Sequence, residues 1–210
     1  MATPGNTAFV SETSGDIWTP RCRMLWPALF EPERFRDDPP DKIQKHAITL
    51  LVPKGSNIEV LKKEAARVAG EKWNDPASMN LRSPFISVAG QPKLAEHAED
   101  YPIMLRARSI DPPGVVGPDG KRVNDPSLVY GGRWCVVTLQ AFAYETKGNR
   151  GVSFGLQNVQ LLDHDEPLGS ARVRAESEFQ PVEISSGNAD SAAPAAENGA
   201  APESSDSLFS

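Results

Sequence analysis

One stretch in the second half of the chain, YGGRWCVVTLQAFAYETKGNRGVSFGLQNVQLL, constrains the fold more than any other. Its first part, from Arg133 to Tyr144, is rich in Trp, Val, Thr, Phe and Tyr, which suit a half-buried strand. The segment 146–151 contains two glycines and an asparagine, residues that tolerate the positive φ of a turn. Its last part, from Val152 to Leu162, is again mostly apolar and carries no charge. The stretch therefore predicts a long β-hairpin.

Alternation of side chains along the two strands predicts one aromatic face and one face of small residues. If Tyr144 pairs with Val152, Phe142 lies opposite Phe154, and the other face carries alanine, serine and glycine. Aromatic rings stack on a flat ligand, whereas small side chains leave a groove for one. The competing interpretation is that the aromatic face is core, because most aromatic residues in strands are buried.

The rest of the chain predicts further strands and one helix. Strands are expected at 17–30, with a break near Pro27, at 45–52 and at 101–110, and a short one near 85–88. The segment 111–124 contains two turns with proline and glycine and is expected to be an exposed loop. A helix is expected at 56–73, capped by Ser56 or Asn57. Apolar residues recur along it at spacings of three and four: Ile58, Leu61, Ala65, Val68, Ala69 and Trp73.

This order of elements favours a mainly β fold with one main helix. A five-stranded β-barrel with a packed helix fits best, and the oligonucleotide-binding (OB) fold belongs to that class. A split β-sandwich is the alternative. The expected organisation is a flexible N-terminus at 1–15, one OB-fold domain at 16–182, and a disordered acidic tail at 183–210.

The charge of the chain is polarised. The formal net charge is −6, yet residues 101–160 carry seven basic and four acidic side chains, while residues 183–210 carry five acidic and no basic ones. The tail has too few apolar residues to offset the entropy of ordering it. At its end, Leu208 and Phe209 follow Asp206, which suits docking into an apolar pocket rimmed by basic residues. A purely solubilising tail is the alternative.

The sequence carries few signals for targeting to a membrane or for secretion, and it has two cysteines. No run of 18 apolar residues occurs, so no membrane span is expected. The first residues lack a basic region followed by an apolar core, so no secretory signal is expected. The cytoplasm is the expected location, with reduced thiols. A disulfide between Cys22 and Cys135 requires that the two strands be neighbours.

Motifs of catalysis and cofactor binding are absent from the sequence. It contains no GxxxxGK[ST], GxSxG or HExxH pattern. The cluster from Asp163 to Glu166 has groups able to bind a metal, but it lies in a turn beside Pro167, where a solvated charge run is the commoner outcome. We therefore expect no enzyme, no metal site and no cofactor.

A binding pattern remains. Proteins that hold single-stranded nucleic acid combine a cationic groove with aromatic platforms, because every base offers a π-face. Basic and aromatic residues lie near one another in the sequence, in and before the hairpin. They are the candidate ligand contacts: Arg106, Arg108, Arg133, Lys147, Arg150, Trp134, Phe142, Tyr144 and Phe154.

The hairpin also resembles the core of a phage single-stranded-DNA-binding protein family. The shared pattern is Tyr-Gly-Gly-x-Trp, Ala-x-x-Tyr, a basic glycine turn, and Gly-Val-Ser-Phe-x-Leu-x-x-Val-Gln, within a match that runs from about Ile17 to Gly169. The resemblance implies an OB barrel like that of the T7-type phage single-strand binder and sequence-independent binding of single-stranded DNA in replication, recombination and repair, without catalysis. It brings in as groove candidates Tyr130, Arg133, Trp134, Tyr144, Lys147, Arg150 and Phe154.

Partners follow from the same resemblance. Single-stranded DNA is the expected ligand, and replication or recombination proteins are expected to contact the tail at Asp206, Leu208 and Phe209. A homodimer is left open. The alternative function is a structural or protein-interaction module, such as a virion or assembly component, which would bind its partner through the sheet and be indifferent to nucleic acid.

Overall fold

The computed structural model describes residues 5–39, 41–146 and 148–168. Over these ranges the chain forms nine strands, three short 3-10 helices and one α-helix, α1 (Glu59–Lys72). None of the helices in these ranges combines the length and the apolar character needed to cross a membrane. The strands are β1 (Phe9–Val10), β2 (Ile17–Trp18), β3 (Cys22–Glu33), β4 (Lys45–Val52), β5 (Phe85–Ser87), β6 (Ile103–Ser109), β7 (Gly114–Val116), β8 (Trp134–Thr146) and β9 (Asn149–Leu161).

Five of the strands pair in a closed cycle. β3 pairs with β4 and β4 with β6, while the hairpin of β8 and β9 links the two ends, because β6 runs parallel to β9 and β3 runs antiparallel to β8. The short strands lie beside this cycle: β1 and β2 extend the sheet from β8, β5 pairs with β6, and β7 pairs with β9. The prediction of a mainly β fold with one main helix is confirmed.

The main core lies on the inner face of the cycle, where α1 packs against the hairpin. The N-cap position is Ile58, which makes no side-chain capping bond, and the Oδ1 of the preceding Asn57 accepts a hydrogen bond of 3.1 Å from the N–H of Glu59. β4 has the predicted bounds, and the predicted apolar stripe of the helix is buried throughout: Ile58, Leu61, Ala65, Val68, Ala69 and Trp73.

The register of the hairpin differs from the predicted one by one residue. Phe154 lies opposite Ala141, and Phe142 lies opposite Ser153. Directly opposed side chains share a face, and a shift of one residue exchanges the faces. The prediction of one aromatic face is therefore wrong: Phe154 belongs to the core cluster, whereas Phe142 points outward and is exposed.

The turn explains the shift. Thr146 pairs with Asn149, so the turn has two residues, and Gly148 has a φ of 79°. Two-residue turns with positive φ are favoured in hairpins because their twist matches that of the strands. The sequence prediction assumed a longer turn, and the register followed from that assumption.

Three further segments differ from the predictions. Residues 5–15, expected to be flexible, contribute β1, and Ala8 is buried in the core. The expected loop at 111–124 contains β7, whose Val115 is also buried. The expected strand at 17–30 is two strands, and β3 carries a bulge at Trp26, which has a φ of 45° before Pro27. The last part of the predicted OB-fold domain, residues 169–182, and the predicted tail at 183–210 lie outside the described residues.

The two cysteines are neighbours with free thiols. Cys22 lies directly opposite Cys135 across β3 and β8, and both side chains are buried. Burial raises the pKa of the Cys22 thiol to about 12. A thiol that stays protonated is a poor nucleophile, which favours the reduced pair.

Candidate nucleic-acid interface

The outer face of the strand cycle has a covered part and an open part. On the covered part, five apolar side chains form a second cluster, against which Tyr101 and Leu168 pack. These five residues come from β3, β4, β6 and the connection before β6: Leu25, Leu51, Val88, Leu94 and Met104. The protein's own chain therefore occupies this part of the sheet.

Trp134 lies at the edge of the covered part and is held there. Its Nε1 donates a hydrogen bond of 2.8 Å to the Asp165 carboxylate. The Arg21 guanidinium lies 4.4 Å from the centre of the Trp134 ring and forms an ion pair of 2.7 Å with Asp163. Arg23 forms an ion pair of 3.2 Å with Asp165. The contacts of Trp134 thus hold the segment after β9 against the sheet. Trp134 therefore has a structural role.

The charge state of Asp165 follows from the same contacts. The backbone N–H of Glu166, the Trp134 indole N–H and the two arginines, Arg23 and Arg21, hold the pKa of the Asp165 carboxyl below its usual range. The contacts favour the ionised form because they donate to it or carry the opposite charge. The segment is therefore held most firmly when Asp165 is charged.

The other residues of the Tyr-Gly-Gly-x-Trp motif hold the same segment. The Tyr130 hydroxyl lies 3.0 Å from His164 Nδ1 and donates to the Asp165 carbonyl at 3.2 Å. A Cβ on Gly131 would lie 2.9 Å from the Leu168 carbonyl oxygen, so only glycine allows this approach. Arg133 is 4% exposed and donates to the carbonyl oxygens of neighbouring loops. The prediction that Arg133 faces a ligand is wrong, because its side chain is buried and its guanidinium donates to the carbonyl oxygens of Leu128 and Leu162.

Phe154 is the second predicted contact that the structure buries. Its side chain is 0% exposed, and its ring meets that of Phe85 edge to face at 5.8 Å. A base cannot reach this ring in the folded protein. The prediction that Phe154 faces a ligand is wrong, because the register of the hairpin turns the Phe154 side chain toward the core.

The open part is crossed by a row of five paired positions. Ala28 pairs with Ala47, Ala47 with Arg108, Arg108 with Gly155, and Gly155 with Gln140. Three of the five positions hold alanine or glycine, so the row forms a low floor from which Arg108 rises. Arg108 and Gln140 are exposed.

Phe142 borders this floor. Its side chain is 44% exposed, and a Cβ on Gly155 would lie 4.0 Å from the Phe142 ring. Phe142 and Arg108 therefore flank Gly155 from two neighbouring strands. An exposed ring gives a base a surface on which to stack, and a nearby guanidinium gives its phosphate a cation. We call the surface formed by Arg106, Arg108, Gln140, Phe142 and Gly155 the open face.

Arg106 and Arg108 carry the positive charge of the open face. Arg106 forms an ion pair with Glu33 at the end of β3, whereas the ion pairs of the described residues include none for Arg108. Partial burial and the nearby Arg106 lower the pKa of Arg108. A cation that is partly desolvated beside a second cation is stabilised by an added anion, so this position favours a phosphate.

The end of the hairpin adds polar groups. Tyr144 points to the same side as Phe142, and its hydroxyl lies near Gly151. Arg150 is exposed and forms an ion pair of 2.6 Å with Glu145. Lys147, predicted as a contact, lies outside the described residues. Of the ten predicted contacts, the structure thus brings together on one side of the sheet Arg106, Arg108, Phe142 and Tyr144.

The structure also shows surface residues that the sequence reasoning missed. Phe35, in the loop between β3 and β4, is 53% exposed, and the Lys42 ammonium lies 5.7 Å from its ring. The signal was the triplet Arg34-Phe35-Arg36, inside a segment that otherwise reads as acidic. Arg82 is exposed next to Gly151 of the hairpin; nothing in its sequence surroundings marks it.

The acidic turn has no metal-site geometry. Among the described residues, no group of three or more His, Cys, Asp and Glu side chains is arranged to hold a metal ion. His164 instead stacks on Tyr130, with ring centres 5.9 Å apart. The side chains of this turn are used to hold it against the sheet.

Comparison with known proteins identifies one matching family and several solved structures with a similar fold. The family model described as Enterobacter phage Enc34, ssDNA-binding protein, matches residues 16–191. A comparison with curated protein sequences gives no match. The solved structure of the single-stranded DNA-binding protein from bacteriophage Enc34 in complex with ssDNA has a TM-score of 0.62 at 20% identity, over 80% of this chain and 97% of that one.

Two further solved structures have a similar fold. Another structure of the bacteriophage Enc34 protein has a TM-score of 0.61 at 20% identity, over 85% of this chain and 97% of that one. The crystal structure of gp2.5, a single-stranded DNA binding protein encoded by bacteriophage T7, has a TM-score of 0.53 at 14% identity, over 83% of this chain and 97% of that one. At these identities, the likeness to solved structures is a likeness of fold.

Proposed function

The chain belongs to the family of the Enterobacter phage Enc34 ssDNA-binding protein, and on that premise we propose that it binds single-stranded DNA through the open face without reading the base sequence. The observation that carries the proposal is the position of Phe142 and Arg108 on either side of Gly155. Base stacking on a ring contributes about 1–3 kcal/mol per base and does not depend on the base. The guanidinium supplies the phosphate contact.

We assign the closed cycle of five strands to the OB fold. In chain order, β4 and β6 are its second and third strands, and OB folds bind oligonucleotides across these two strands and through the loops after the first and fourth. Here β6 carries Arg106 and Arg108, the loop after β3 carries Phe35, and the β8–β9 turn includes Lys147. The open face therefore overlaps, at β6, with the surface that this fold uses, and it continues from there onto β8 and β9.

The cellular role follows from the ligand. A protein that coats unpaired strands without sequence preference acts where duplexes are opened, which is during phage DNA replication and recombination in the host cell. The C-terminal residues Asp206, Leu208 and Phe209 are the proposed contact for replication or recombination proteins. No catalytic step is part of this proposal.

Titration of a labelled oligo-dT with the full chain, read by fluorescence anisotropy, tests the proposal. We expect binding at 50 mM salt that weakens as salt rises, with log K falling by about 0.7 per phosphate contact for each tenfold increase in salt. Oligonucleotides of mixed sequence should bind within a few fold of oligo-dT, and the matching duplex should bind more weakly. No binding at 50 mM salt would reject the proposed function.

A further inference from the structure

Glu33 places a carboxylate among the cations of the open face. It is the last residue of β3, its backbone lies opposite Lys45, and its carboxylate binds the guanidinium of Arg106. The backbone of Arg106 lies opposite Thr49, four positions further along β4 than Lys45, so the ion pair joins two positions that are separated along the sheet.

The ion pair is partly removed from water. The side chains of Arg106 and Glu33 are 34% and 17% exposed. Charges that are partly desolvated interact more strongly than charges in water, and salt screens them less. The pair is therefore a specific contact of the free protein.

Arg106 nonetheless retains a donor with no acceptor. Its Nε is buried and has no hydrogen-bond partner among the described residues. Burying a donor without a partner destabilises the folded protein, so its presence requires an explanation. Arg108, which follows on the same face of β6, is also without a carboxylate partner in the described part of the chain. Two guanidiniums with spare donors face one carboxylate.

From this geometry, we propose that Glu33 competes with a DNA phosphodiester for Arg106 and so lowers the affinity of the open face for single-stranded DNA. The inference rests on the proposed function, since it names the residue that sets the strength of that binding. A phosphate approaching Arg108 is repelled by the nearby carboxylate, and Arg106 is withheld from the phosphate because its guanidinium is already paired. Such a competitor allows a binding protein to release the strand to other proteins.

The test is the salt dependence of oligo-dT binding by Glu33→Gln in the full chain. The substitution keeps the size of the side chain and removes its charge, so Arg106 becomes available to a phosphate. We expect tighter binding and one added contact, which steepens the slope of log K against log salt by about 0.7. The gain over the wild type should therefore grow by about eightfold between 1 M and 50 mM salt.

Two controls isolate the contact. Glu31→Gln removes the same charge two residues away on β3, where the side chain is exposed; we expect its slope to equal that of the wild type. In the Arg106→Ala background, Glu33→Gln should steepen the slope no further. Thermal unfolding of each variant verifies that it is folded.

The outcomes separate the two proposals. If the wild type fails to bind oligo-dT, the proposed function fails, and the inference fails with it. If the wild type binds and Glu33→Gln has the slope of Glu31→Gln, only the inference is overturned. Weaker binding by Glu33→Gln also overturns it, because Glu33 would then position Arg106 for the phosphate.

Discussion

Phe142 and Phe154 lie on opposite faces of one hairpin, although the sequence places both among the aromatic residues of its strands. The pairs Phe142–Ser153 and Ala141–Phe154 establish this. Phe154 fills the core beneath the sheet, and Phe142 stands exposed above Gly155. The two rings therefore lie in different environments, one exposed and one buried, and substitution of each should have a different effect.

Phe142→Ala should weaken oligo-dT binding and leave thermal stability nearly unchanged. The lost stacking corresponds to about 1–3 kcal/mol, or roughly 5- to 150-fold in affinity. Phe154→Ala is the matched variant and should destabilise the fold by about 3–5 kcal/mol, because it empties a fully buried site. Anisotropy titration and thermal unfolding measure the two effects. Equal melting temperatures for the two variants would contradict the assignment of faces.

Arg108→Ala should reduce the salt dependence of binding. Loss of one phosphate contact lowers the slope of log K against log salt by about 0.7. Arg122→Ala removes the same charge from the exposed loop after β7 and serves as control. Its slope should match that of the wild type. If both variants change the slope equally, the effect comes from net charge, and Arg108 has no specific contact.

Asp165→Asn should lower thermal stability at pH 7 and leave oligo-dT affinity unchanged. The pKa of Asp165 is depressed by its contacts, so its contribution to stability is present above the unfolded pKa of about 3.9 and is lost as the pH falls through the lower, folded value. The difference in melting temperature between wild type and variant should therefore disappear on acidification below about pH 4. A melting temperature equal to that of the wild type at pH 7 would show that the Trp134–Asp165 contact is not stabilising.

Deletion of residues 185–210 should tighten DNA binding at low salt. The deleted part carries four acidic and no basic residues, and such a segment competes with a polyanion for a cationic surface. The gain should fade as salt rises, because screening weakens the competition. Replacement of the four acidic residues by their amides in the full chain is the control for length and should give the same gain. Weaker DNA binding by the truncated chain would contradict competition between residues 185–210 and DNA.

Several local features follow from the sequence because short-range physics decides them. The helix α1 is one, since its apolar stripe has helical spacing and Asn57 stands at its start. The extent of β4 and the existence of the β8–β9 hairpin are others, because runs of β-branched and aromatic residues bounded by turn residues have few alternatives. The family also follows, because the hairpin holds its motif.

Which of the candidate residues are exposed and which are engaged by other side chains was decided only by the tertiary structure. A two-residue turn exchanged the faces of Phe142 and Phe154, and no propensity separates it from a longer turn with the same glycines. Trp134 and Arg106 are engaged by Asp165 and Glu33, partners 31 and 73 residues away. Such contacts depend on how the closed strand cycle brings distant segments together. The residue types able to bind DNA can therefore be read from the chain, whereas their exposure and their partners arise only when it folds.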